Sequence, residues 1–267
     1  MKPKICLSIA GIDLSGGAGL TSDIRTFSIL GVHSLSVVSA ITLQNTYEIR
    51  GIKKISPSFL KKQLETILDD IIPDSTKISM IPSNSCAFVI YDILKKYKLK
   101  NVILDPVMIS KQKVVLTPPS ALRFISKRIF PLITLLTPNI PEASFICQKE
   151  IKTIEDIKKS LKHINSLGVR YVLLKGGHLE GEMCIDTFYD GKDFYFFKNK
   201  RFNTLNTHGT GCVLSSAISA FLAKGYDMYS SVKKSIVLVN CGIKKSFSLG
   251  RGYGTLNLFD FKYRRGV

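Results

Sequence analysis

The chain has 267 residues, 45% apolar and 22% charged, with six cysteines and a formal net charge of +18 at pH 7. Such a length can bury the core of one large α/β domain, and with no run of about 18 apolar residues and no convincing leader pattern, neither a transmembrane helix nor a signal peptide is expected. The cysteines, at 6, 86, 147, 184, 212 and 241, show no Cys-x-x-Cys pair or histidine spacing, so neither zinc nor a disulfide framework is indicated and a reducing cytoplasm suits them.

The positive charge does not by itself imply a polyanion partner. Lysines come in pairs such as Lys53-Lys54, Lys95-Lys96 and Lys233-Lys234 along helical segments, never as a block with interleaved aromatics. Neither nucleic acid nor a membrane is therefore expected as a partner.

In chain order, residues 5–10 form a continuous apolar run that predicts a strand buried on both faces, and residues 11–19 form a glycine loop before a helix over 21–30. A β-branched strand follows at 36–42, then a helical pattern at Leu60, Leu64, Ile67, Leu68 and Ile71, with Ser58 as its cap. The alternation continues with strands at 77–80, 102–104, 133–136 and 171–175 and helices at 83–97, 119–128 and 154–167. It points to a mostly parallel sheet covered by helices on both faces. Between residues 184 and 201 the aromatic runs flanking Asp190-Gly191 read as a β-hairpin. No linker or repeat divides the chain, so residues 1–267 are expected to form one domain.

In such a sheet, ligands bind beyond the carboxyl ends of the strands. The loops there carry Gly11, Gln44, Met80, Asp105-Pro106-Val107, Asn139 with Glu142, and Lys175-Gly176-Gly177. The most informative motif lies further on, at residues 206–212, Asn-Thr-His-Gly-Thr-Gly-Cys, immediately before a helical run. A Gly-x-Gly turn at a helix N-terminus gathers unpaired amides and the positive end of the helix dipole, which suits a phosphoryl group. The same position is expected to lower the pKa of the Cys212 thiol.

Six ordered segments together carry a family resemblance: residues 10–19 with Asp23, Gln44-Asn45-Thr46, Asp105 to Met108, residues 136–143, Leu174 to His178, and residues 206–212. The chain resembles the hydroxymethylpyrimidine/phosphomethylpyrimidine kinases of thiamine biosynthesis, within the ribokinase superfamily. The resemblance implies a three-layer αβα sandwich and two successive ATP-dependent phosphorylations, of an aminopyrimidine alcohol and then of its monophosphate. It makes Gly209, Thr210 and Gly211 the anion hole and Cys212 the proton acceptor for the hydroxyl. Because a phosphate acceptor is already ionised, Cys212 should matter more in the first phosphorylation than in the second.

Gln44 offers a donor and an acceptor in one plane for the pyrimidine, and the resemblance adds Gly11, Asp23, Met80 and Val107 to the acceptor pocket, with Asp23 near the hydroxymethyl group. Lys175, Asn139 and Thr207 are nucleotide-side candidates. Asp105 and Glu142 are the carboxylates for Mg2+, directly or through water. His178 and His208 show no carboxylate partner in the sequence. A homodimer is implied, with the hairpin near a lid or interface. The chain departs from the family at Ile109-Ser110-Lys111-Gln112-Lys113, which replaces a glycine-containing loop, and at residues 250–254, which lack the usual Gly-Pro. The competing readings are a cysteine-containing pyridoxal kinase and a basic nucleotide- or nucleic-acid-binding domain without turnover.

Overall fold

Strands alternate with helices along almost the whole chain, of which a computed structural model describes residues 2–110, 112–177 and 182–259. The strands are β1 (Ile5–Asp13), β2 (His33–Gln44), β3 (Ile49–Lys54), β4 (Ser75–Ile78), β5 (Val102–Leu104), β6 (Leu135–Leu136), β7 (Tyr171–Leu174), β8 (Met183–Tyr189) and β9 (Phe194–Lys200). The helices are α1 (Gly19–Ile29), α2 (Pro57–Leu68), α3 (Asn84–Tyr97), α4 (Pro119–Phe124), α5 (Ile140–Cys147), α6 (Ile154–Ser166), α7 (Thr210–Ala223) and α8 (Met228–Lys244). All nine strands join one sheet in the order β3-β2-β1-β4-β5-β6-β7-β8-β9. The six from β2 to β7 are parallel, while β3, β8 and β9 add antiparallel edges.

The central strands are apolar throughout because both faces are covered. Ile5, Leu7 and Ile9 of β1, Val102 and Leu104 of β5, and Val172 and Leu174 of β7 pack beneath α2 to α6. Their alternating neighbours Cys6, Ile103 and Leu173 face the opposite core, built with α1, α7 and α8. This gives the three-layer αβα arrangement. α7 has eleven buried residues and is enclosed nearly all round, which explains why its sequence lacks a polar stripe.

β3 and α5 are among the elements absent from the sequence reading. β3 is an edge strand whose Arg50, Lys53 and Lys54 are exposed, so no alternating burial marks it, and such charges keep an edge from pairing further. α5 spans only eight residues and has a proline in its first turn. It is held by a reciprocal capping box between Asn139 and Glu142, the same pair that reads as a ligand motif. Boundaries also move. Ser56, rather than Ser58, caps α2, because Pro57 takes the first helical position, where its fixed φ fits and its missing N–H costs nothing. The helix expected over 119–128 is regular only to Phe124, then widens into a π turn over Ile125–Ile129 and a 3-10 turn over Phe130–Leu132.

The hairpin forms as predicted and extends the sheet beside β7. Strand order reverses at β1, whose neighbours are β2 on one side and β4 on the other. Chains leaving β1 and β4 there diverge to opposite sides and leave a crevice at their carboxyl ends.

Candidate active site

That crevice is a cavity of about 1160 Å³. Gly11, Gln44, Met80 and Val107 line it from the β2-β1-β4-β5 end of the sheet, and Asp186, Asn199 and Arg201 from the β8-β9 end. Asp105, Asn139, Glu142, Lys175 and Thr207 to Cys212 also line it. Of the sequence-derived candidates, only Asp23 is missing from its wall.

The Gly-x-Gly turn is built for close approach. Gly209 caps α7 at φ 79°, a left-handed conformation that disfavours side chains, and a Cβ there would overlap the Gly17 carbonyl. The glycine loop after β1 and the turn before α7 thus pack directly on one another. Thr210 donates its hydroxyl to the Thr207 carbonyl at 2.7 Å, and Val213 donates the first regular helical bond to Gly209 at 2.9 Å. The amides of Gly211 and Cys212 precede that bond, at the positive end of the helix. A Cβ on Gly211 would stand 3.2 Å from Lys175 Nζ, so glycine lets the cation come against the turn.

Lys175 Nζ lies 2.7 Å from Asp105 Oδ1 and 3.9 Å from Glu142 Oε2. Burial disfavours its charge, but Asp105 and Glu142 more than offset this and raise its pKa. Asp105 also accepts from Thr137 and Ser215, each at 3.4 Å. Glu142 Oε2 accepts the Asn139 amide at 2.8 Å, and Asn139 Oδ1 accepts the Glu142 amide at 2.9 Å. Burial raises the Glu142 pKa to about 7, with Lys175 opposing and Asp105 reinforcing the rise.

At the other end, Gly11 packs on Met80, whose sulfur would meet any Cβ at that glycine. Met80 itself sits at φ 27°, an unfavourable conformation for a residue with a side chain, and its carbonyl accepts the Ser39 hydroxyl at 2.8 Å. Thr42 donates to Gln44 Oε1 at 3.2 Å. Gln44 Nε2 lies 3.3 Å from His208 Nε2.

Three expectations are corrected here. First, His208 does have a carboxylate partner: its Nε2 lies 2.7 Å from Asp13 Oδ2. The two are separated by nearly the whole chain, which is why sequence proximity could not reveal them. Burial opposes ionisation of Asp13, yet His208 and the Ser15 groups hold its pKa below the usual value. A carboxylate only accepts, so His208 Nε2 carries the proton and cannot accept from Gln44.

Second, Asp23 is fully buried and points away from the acceptor pocket into the layer between the sheet and α7. It pairs with Lys77, also at 0% exposure, at 2.8 Å. The reason is electrostatic: an ammonium in the middle of a buried strand demands a counterion.

Third, the helix terminus does not make Cys212 acidic. The thiol lines the cavity, but dense packing pushes its pKa up to about 11, and Asp23 and Asp105 reinforce the rise against Lys77 and the Gly19 amide. Desolvation outweighs the dipole.

The segment at 250–254 also has a structural task that its composition did not disclose. Gly252 and Tyr253 donate to Thr46 at 3.1 and 2.9 Å, and the Gly254 carbonyl accepts the His208 amide at 3.0 Å. It ties the turn beyond β2 to the turn before α7. In the departing loop, Ile109, Ser110 and Gln112 line the cavity. Lys111 and His178 lie outside the described residues.

Comparison with known proteins identifies the family. A family model described as phosphomethylpyrimidine kinase matches residues 13–257. A hydroxymethylpyrimidine/phosphomethylpyrimidine kinase of Aquifex aeolicus is 41% identical over 257 residues, spanning 96% of this chain and 100% of its own length. The crystal structure of a phosphomethylpyrimidine kinase from Clostridium difficile superposes with a TM-score of 0.80 at 38% identity, covering 90% of this chain and 99% of that one. Bacillus subtilis pyridoxal kinase, solved as an ADP complex, gives 0.88 at 32% identity, covering 96% and 97%. With this fold and these matches, the chain belongs to the hydroxymethylpyrimidine/phosphomethylpyrimidine kinase family.

Proposed function

We propose that this chain transfers the γ-phosphoryl group of ATP to the hydroxymethyl oxygen of 4-amino-5-hydroxymethyl-2-methylpyrimidine and then phosphorylates the resulting monophosphate. One observation carries the reading: a single cavity holds an amide-bearing wall, Gln44 with Gly11, Met80 and Val107, and an anion-binding wall, residues 209–211 with Lys175, with Cys212 on α7 beside them. The first suits a flat ring with an exocyclic amine. The second suits phosphate, because its amides and ammonium are already oriented for negative charge. Since one sheet supplies both walls, the whole chain would act as one kinase domain.

Asn139 and Thr207 fit the nucleotide side, each lining the cavity near these charges. Magnesium fits Asp105 and Glu142, which present hard carboxylate oxygens around one ammonium. Among the described residues no three or more metal-ligating side chains form a closed cage, so the ion would be held through these carboxylates and its own waters. It would supply neutralisation of the phosphate charge. The acceptor hydroxyl loses its proton to the Cys212 thiolate, which is a minor form at neutral pH given its raised pKa. The second acceptor is a phosphate and needs no such base.

No described helix is long and apolar enough to cross a membrane. The setting we propose is cytosolic, with a homodimer as the working assembly, small molecules as ligands and no nucleic-acid partner. Steady-state kinetics on the pyrimidine alcohol, its monophosphate and pyridoxal test the assignment. Turnover of both pyrimidines with kcat/KM above that for pyridoxal is expected, and a preference for pyridoxal would overturn it. Cys212→Ala should slow alcohol phosphorylation about 100-fold and that of the monophosphate far less; equal losses would remove its role as base.

A further inference from the structure

Directly beneath the cavity lies a polar cluster that the proposed reaction leaves unused. Lys77 Nζ, on β4, donates to both oxygens of Asp23, at 2.9 and 2.8 Å, and to Ser79 Oγ at 3.2 Å. Asp23, on α1, also accepts from Ser8 of β1 at 2.6 Å and Ser216 of α7 at 2.7 Å. Four elements therefore meet on one ion pair that water does not reach. A buried pair gives little net stability over a well-packed apolar pair, so its position invites another explanation.

Its position relative to α7 supplies one. Ser216 follows Cys212 by four residues, one turn along the same face, so the residue that holds Asp23 lies directly below the thiol. Ser79, which holds Lys77 from the other side, lines the cavity together with Cys212. The cluster thus meets the cavity floor at Ser79 and the base of Cys212 through α7.

We propose that Lys77, fixed by Asp23, is a positioning residue that sets the reactivity of the Cys212 thiol from beneath the active site. The inference rests on the reading of Cys212 as proton acceptor for the alcohol. Four charged groups act on this thiol: Lys77 from β4, Asp23 from α1, Asp105 from the loop after β5, and Lys175 from the end of β7. Of the charges acting on Cys212, that of Lys77 is the strongest. Being sealed from water, it is not screened by the bulk solvent or salt as an exposed lysine would be. Asp23 keeps Lys77 protonated where burial would otherwise strip its proton, and in doing so subtracts part of the favourable field.

Both partners are therefore needed for the field, and removing either should leave the thiol less reactive. Iodoacetamide alkylation of Cys212, followed by peptide mass spectrometry between pH 7 and 10 on the full chain, reads the thiolate directly and requires no turnover. Lys77→Met should slow it about tenfold at pH 8, and Asp23→Asn should slow it as well, because Lys77 loses its proton once its counterion is gone. A Lys77→Met/Asp23→Leu double variant, free of an orphaned charge, should also slow it and guards against misfolding of the single variant. If the pair were only structural, loosening α7 would expose the thiol and speed alkylation in all three variants. Acceleration, or no change, in any of the three variants overturns the proposal. Alcohol phosphorylation should follow the alkylation rates while monophosphate phosphorylation does not; if alkylation shifts as stated and neither rate follows, the base reading of Cys212 fails while the assignment of Lys77 stands.

Discussion

The chain buries two lysine–aspartate pairs of almost identical length in opposite circumstances. Lys77–Asp23, at 2.8 Å, lies wholly inside the protein, whereas Lys175–Asp105, at 2.7 Å, leaves Lys175 16% exposed on the cavity. Contact chemistry is therefore the same, and access to water and ligand is not. Lys175 can trade part of its interaction with Asp105 for a phosphate. Lys77 cannot touch a ligand and can act only through its field and through the elements it joins.

Removing one lysine from each pair should separate these roles. Lys77→Met leaves a carboxylate with no cation and no water, and should lower unfolding free energy by about 3–5 kcal/mol in denaturant titration. Lys175→Met should cost only about 1–2 kcal/mol, because cavity water and the hydroxyls of Thr137 and Ser215 remain for Asp105. Its kcat should instead fall about 100-fold in both phosphorylations, since both place a phosphoryl group against the same turn. Equal stability losses would erase the distinction between the pairs.

The two pairs also differ in how far the sequence disclosed them. Lys175 was legible because it ends a recognisable strand beside Gly176-Gly177, and strand ends of a parallel sheet are where ligands bind. The β-branched and apolar runs, the Asp-Gly hairpin and the Gly-x-Gly turn were readable for the same reason: each is a local pattern with a local cause. Asp23 was placed near the hydroxymethyl group by resemblance, and nothing local in the first turns of α1 signals a buried partner. Its burial is imposed by Lys77, a residue 54 positions away on another element. Asp13 and His208 were missed on the same grounds, as was the acidity of Cys212, which depends on how many atoms surround the thiol and not on its place in α7. Local chemistry was visible, and long-range compensation of charge was not.

A pH profile probes how the pairs influence the chemistry between them. With the Cys212 pKa at about 11, the thiolate is scarce at neutral pH, and its fraction grows about tenfold for each pH unit below that value. Alcohol phosphorylation should therefore rise about tenfold per unit from pH 7 to 9 where proton transfer limits the rate. Monophosphate phosphorylation should stay nearly flat over the same range. Parallel profiles for the two acceptors would show that the thiol's protonation does not limit the first step.

The smallest expected effect concerns two neighbouring serines of α7, each attached to a different pair. Ser216 donates to Asp23 at 2.7 Å, and Ser215 reaches Asp105 at 3.4 Å while also bonding the Gly211 carbonyl at 3.0 Å. Ser216→Ala removes a short bond to a charged acceptor that water does not reach, which should cost about 1.5–3 kcal/mol of stability. Ser215→Ala removes a long one from a carboxylate that Lys175 already satisfies, and should cost about 0.5–1 kcal/mol. The hydroxyl lost is the same and the helix propensity gain is the same, so chemical denaturation of the two variants compares the pairs alone. If Ser215→Ala proved the more costly, the Lys175–Asp105 pair would be the one that holds α7 in place, and the sealed pair would not anchor that helix.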